Sequence, residues 1–145
     1  MGRRSRPTAP RTAARVAAEA APDAKDAAID AVAKSIETLE RLLAHLRELQ
    51  AGAVGHPPLL LQITRRCVDA EAELLDQRSL VAHLRAAHVS VQPMSPEARA
   101  TLERLLANLD EAVRADQAFH RVLELADVIV GSANDFEHEI RELTT

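Results

Sequence analysis

Aromatic side chains are nearly absent: Phe119 and Phe136 stand alone, with no Trp or Tyr in 145 residues. Bases, sugars and planar cofactors dock on aromatic faces, so recognition by stacking has almost nothing to use, and no cofactor is expected. A single cysteine, Cys67, excludes an intrachain disulfide and a thiolate metal cluster. It falls at an apolar position, where a thiol behaves as a small buried hydrophobe, and a reducing cytoplasmic setting is expected. Four glycines build neither a P-loop nor a Gly-x-Gly-x-x-Gly turn, and neither motif occurs. No apolar run approaches the ~18 residues of a membrane span. Arg3, Arg4 and Arg6 are followed by PTAPRTAARVAAEAAP, which supplies no apolar core for a secretory signal.

Charge is divided unevenly. Residues 1–22 hold five arginines (Arg3, Arg4, Arg6, Arg11, Arg15) against Glu19, whereas residues 23–145 hold 13 basic and 21 acidic side chains. The expected organisation is a disordered basic tail over 1–22 and one helical domain over 23–145. Nucleic acid could meet only the tail arginines, because the acidic remainder repels phosphate.

What is abundant is Ala, Leu, Glu and Arg, the residues that lose least in a helix. In the first segment Ile29, Val32, Ile36, Leu39, Leu43 and Leu46 recur at alternating spacings of three and four, which predicts a helix over 23–50. A second helix over 59–88 carries Leu60, Ile63, Cys67, Ala70, Leu74, Gln77, Val81, Leu84 and His88. Beside it runs a parallel row, Leu61, Val68, Leu75 and Ala82, so this helix should touch two neighbours. Ser95-Pro96-Glu97 is a helix start: a capping hydroxyl, a proline whose missing N–H is harmless, and an acid in the positive first turn. From there the same register runs through Leu102, Leu105, Leu109, Ala112, Asp116, Phe119, Leu123, Ala126 and Val130, predicting a third helix over 95–131. Gly131, followed by Ser132 and Asp135 at capping-box spacing, allows an extension or a short fourth helix over 133–144.

The fold class is therefore all-α: an up-down-up three-helix bundle with coiled-coil-like packing, ~45 Å long at ~1.5 Å per residue. A third helix longer than its partners leaves Phe136, Ile140 and Leu143 without intrachain cover. With Phe119 they are the expected interface. The expected function is non-enzymatic: binding another protein or further copies of the chain through apolar helix faces, as an adaptor, assembly factor or scaffold component. On that reading Phe136→Asp with Ile140→Asp dissolves an assembly and spares helicity. Two segments, TLERLLAHL at 38–46 and TLERLLANL at 101–109, match at eight of nine positions, from duplication or from coincidence among common helix formers.

Chemistry has few footholds. A di-iron bundle uses Glu-x-x-His, which does not occur. Asp116, His120 and Glu124 offer three donors at i, i+4 and i+8 and form the metal-binding alternative. Cys67 has no histidine three or four residues away, and no Gly-flanked serine elbow exists, so nucleophilic catalysis is not expected. Phe136-Glu137-His138-Glu139-Ile140-Arg141 resembles part of the phosphoacceptor box of sensor histidine kinases. That resemblance implies His138 as the phosphorylated residue and Glu139 as its neighbouring acid. The family continues with Pro-Leu, where this sequence has Glu142-Leu143.

Overall fold

A computed structural model describes the backbone of residues 8–145, with side chains from Ala24 onward. Arg3, Arg4 and Arg6 lie outside the described residues, and Arg11 and Arg15 lie on described backbone without described side chains. Of the tail expected over 1–22, residues 8–22 are described as helix, so the first helix starts before the position expected at 23. Four helices follow in order: α1 (Thr8–Gly52), α2 (Pro57–Leu84), α3 (Pro96–Ala112) and α4 (Phe119–Glu142). The all-helical expectation is met; the three-helix count is not.

The first two helices bury their main predicted faces, but the second row of α2, Leu61, Val68, Leu75 and Ala82, expected to meet a neighbour, is exposed. Val32, Leu39, Leu42 and Leu46 of α1 are inaccessible to solvent, as are Ile63, Ala70, Gln77, Leu80 and Leu84 of α2. They run antiparallel, since Arg47 pairs with Glu71 and Gln50 with Thr64 at one end while Lys25 reaches the far end of α2. There Lys25 Nζ donates to the carbonyls of Ala86 and Val89 at 2.7 and 2.8 Å, placing a cation in the turn just beyond the negative end of α2. α2 ends at Leu84 with Arg85 as its cap, so His88 lies in the following turn and not on the helix.

Ser95 caps α3 as its sequence predicts: its hydroxyl accepts from the Ala98 amide at 3.1 Å, Pro96 follows, and Glu97 stands in the first turn. The correction comes next. The helix expected over 95–131 ends at Ala112, residues 113–118 form a loop, and α4 doubles back antiparallel to α3. No Gly or Pro marks this break. Continuing the helix would have held Asp116 in the apolar seam as an uncompensated charge, whereas the loop leaves it in solvent. Nor does Gly131 restart anything, because α4 passes through it without interruption.

Folding back reorganises the bundle. α2 and α4 lie parallel, joined by Arg66–Asp127 and by the Gln77 to Ala133 contact, and α2 and α3 occupy opposite corners. The two nearly identical segments fall on α1 and α3. Thr38 and Thr101 are both buried, and each donates its hydroxyl to the carbonyl four residues earlier at 2.9 Å. After α4 the chain end closes against the 85–95 linker: Val91 bridges Thr144, and the Gln92 amide donates to the Leu143 carbonyl at 2.9 Å.

Gly131 is exposed in mid-helix, and a Cβ placed there meets nothing within 4 Å. Gly131→Ala should therefore raise stability by about 1 kcal/mol, because glycine loses the most backbone freedom in a helix. Urea unfolding followed by circular dichroism measures the gain.

Candidate functional site

The expected interface is largely the protein's own core. Phe136 and Ile140 are inaccessible to solvent, and Phe136 is among the largest fully buried side chains. Their cover comes from the fold-back of α4, which removes the overhang from which exposure was inferred. Leu143 is half-buried against that core. Phe119 alone remains open, 45 % exposed at the start of α4, beside a cavity lined by Gly52, Gly55, His56, Pro57, Pro58 and Leu59.

The metal alternative does not assemble as spaced. Asp116 precedes α4 and lies in the loop, so it shares no helical face with His120 and Glu124. All three side chains are exposed, and Glu124 pairs with Arg121 at 3.3 Å. His138 is exposed on α4, while Glu139 Oε1 lies 3.3 Å from the Thr101 hydroxyl oxygen. Cys67 is buried, and burial pushes its thiol up in pKa, away from the reactive thiolate; nearby Arg47 opposes this less strongly.

Two features of α2 stand apart from the apolar core. One is its outer apolar row: Leu61, Val68 and Leu75 are 63 %, 57 % and 67 % exposed, at intervals of seven, with Ala72 and Ala82 exposed beside them. Leu75 reaches a groove between α1 and α2 whose other apolar walls are Leu43, Ala44 and Leu74. The flanking charges are paired inside the chain: Arg47 with Glu71 at 2.6 Å, Arg78 with Glu40 at 3.6 Å, and Arg66 to both carboxylate oxygens of Asp127.

The other feature is a polar junction between α2 and α4. Glu73, Gln77 and Glu137 are buried, and Asp76 stands exposed at its edge. Gln77 Nε2 donates to Glu73 Oε2 at 3.2 Å and to the Ala133 carbonyl at 2.9 Å, while Asn134 Nδ2 donates to Glu73 Oε1 at 2.9 Å. Arg141 donates to Glu137 Oε2 at 2.6 Å. Burial, then a hydrogen bond shared with Glu137 and repulsion from it, push the Glu73 carboxyl up to about 7 against the pull of Asn134 and Gln77. Burial pushes Glu137 upward too, but the hydrogen bonds with Glu73 and Arg141 and the charges of Arg141 and His138 outweigh it and hold Glu137 low.

Of this junction the sequence shows only Gln77, a polar residue in an apolar seam. Glu73 and Glu137 sit beside Leu74 and Phe136 and look like solvated positions, because the α2–α4 neighbour relation follows from the unforeseen loop at 113–118. The described residues define the class of protein: a four-helix bundle with a polar junction between two parallel helices and no helix long and apolar enough to cross a membrane. The chain matches no family model, no curated protein and no solved structure.

Proposed function

We propose that the chain is a self-associating helical-bundle protein, a non-enzymatic assembly component whose interface is the outer face of α2. The observation that carries this reading is the exposed row Leu61, Val68 and Leu75. Rungs at equal spacing of seven, continued by Ala82, are self-complementary when two copies of α2 meet antiparallel about a two-fold axis near Glu71 and Ala72. Val68 of one copy then faces Leu75 of the other, and each copy contributes the same patch, as a two-fold interface requires. The occupant is a second copy because the rim is already neutralised by Arg47–Glu71 and Arg78–Glu40, so it presents no field of one sign for a charged partner to answer.

The test is the solution mass of the full-length protein. A dimer is expected, converted to monomer by Val68→Asp with Leu75→Asp while helicity is unchanged, since neither side chain is in the core. Each copy carries a net charge of −4, so moderate salt should strengthen association by screening mutual repulsion. A wild-type monomer at high micromolar concentration, or a dimer that survives both substitutions, overturns the reading.

A further inference from the structure

Three carboxylates from two helices converge at the α2–α4 junction: one oxygen each of Glu73, Asp76 and Glu137 lies within 4.8 Å of the other two. Glu73 and Asp76 are three residues apart on α2 and so share a face, and α4 brings Glu137 to them. Glu73 and Glu137 are buried, and Asp76 is exposed to solvent.

A second observation points to a missing ligand. Gln77 is fully buried; its Nε2 donates to Glu73 at 3.2 Å and to the Ala133 carbonyl at 2.9 Å, and its Oε1 has no hydrogen-bond partner among the described residues. Glu137 Oε1, on a side chain only 5 % exposed, has none either. Buried acceptors without donors are destabilising and uncommon in folded proteins. Of the basic side chains near Glu137, Arg141 is engaged with Oε2 at 2.6 Å and His138 is exposed. What the remaining oxygens lack is positive charge. Their chemistry narrows its nature: an all-oxygen, carboxylate-rich set suits hard divalent cations, whereas softer metals favour nitrogen and sulfur ligands.

We propose that Glu73, Asp76 and Glu137 bind one hard divalent cation, of the Ca²⁺ or Mn²⁺ type, at the junction of α2 and α4. The ion bridges two helices that are not consecutive in the chain and answers acceptors the fold leaves open. This site is independent of the apolar row, and neither proposal requires the other.

The experiment is calorimetric titration of the full-length, EDTA-stripped protein with MnCl₂ and separately with CaCl₂. One ion per chain is expected. Asp76→Asn should weaken it by about tenfold or more, as loss of metal-site groups does, while Asp69→Asn, another exposed acid of α2, leaves it unchanged. Asp76 is exposed, so its variant keeps the fold; Glu137→Gln, checked for helicity, should abolish binding. No binding of either ion at millimolar concentration, or an Asp76→Asn variant that binds like wild type, overturns the proposal.

Discussion

Phe136→Asp should abolish cooperative folding, and Phe136→Ala should lower stability by about 3–5 kcal/mol. Phe136 is fully buried, and its neighbour one turn on, Ile140, is equally inaccessible. Truncating the ring leaves a cavity between α4 and its partners, and Asp adds a carboxylate with no counter-charge designed to meet it. Stabilities of small domains are about 5–15 kcal/mol, so the Asp variant loses most of what holds the bundle together. Urea denaturation followed at 222 nm distinguishes this from the interface role: an interface residue would change native mass at constant helicity. Retained helicity in Phe136→Asp would mean that α4 does not pack as described.

The second large effect concerns pH. In chelated buffer Glu73 has a folded-state pKa raised to about 7 from an ordinary 4.5. A carboxyl raised on folding contributes stability that is fully present below its unfolded value and is lost as pH rises through the folded one. Glu137, held low, contributes in the opposite sense: its stability is present above the ordinary carboxylate value and lost as pH falls. Stability from the pair should peak near the ordinary carboxylate pKa and decline towards pH 8. A shift from 4.5 to about 7 corresponds to roughly 3 kcal/mol of that decline. Glu73→Gln keeps a neutral head that can donate to Glu137, so it should flatten the slope and gain roughly that amount at pH 8. Chemical unfolding at several pH values measures the difference between the two proteins. Equal slopes would show that Glu73 is not the group involved.

How far the sequence carried the fold depends on the kind of signal each element left. The 3–4 spacing of Val32, Leu39, Leu43 and Leu46 and of Ile63, Cys67, Ala70 and Leu74 names buried faces directly, because helix geometry alone puts those side chains together. Ser95-Pro96-Glu97 marks a boundary by local chemistry. The loop at 113–118 has no such chemistry: Val-Arg-Ala-Asp-Gln-Ala is compatible with helix, and only Asp116 in the seam betrayed the conflict. Its resolution was tertiary, through packing of α4 on α3, and packing is where intrinsic propensity loses its authority.

That one break redistributed the functional residues. With a single long third helix Phe136 and Ile140 were exposed; with α4 folded back they became core, and Glu137, one residue away, became the partner of Glu73. The row Leu61, Val68, Leu75 and Ala82 was visible as a second face of α2, but periodicity tells that a face is apolar without telling what covers it. In the structure α1 and α4 occupy other sides of this helix, and the row faces solvent. The contact of Lys25 with the turn beyond α2 is likewise beyond sequence reading, since it joins residues more than sixty positions apart.

The proposed antiparallel contact of α2 with a second α2 is tested most directly by cross-linking at its two-fold axis. In a Cys67→Ala background, Ala72→Cys places a thiol at the axis, whereas Ser79→Cys places one about two helical turns away on the same flank. Under mild oxidation Ala72→Cys should give a disulfide-linked dimer in high yield and Ser79→Cys little. Equal yields from both positions, or none from Ala72→Cys, would contradict the account.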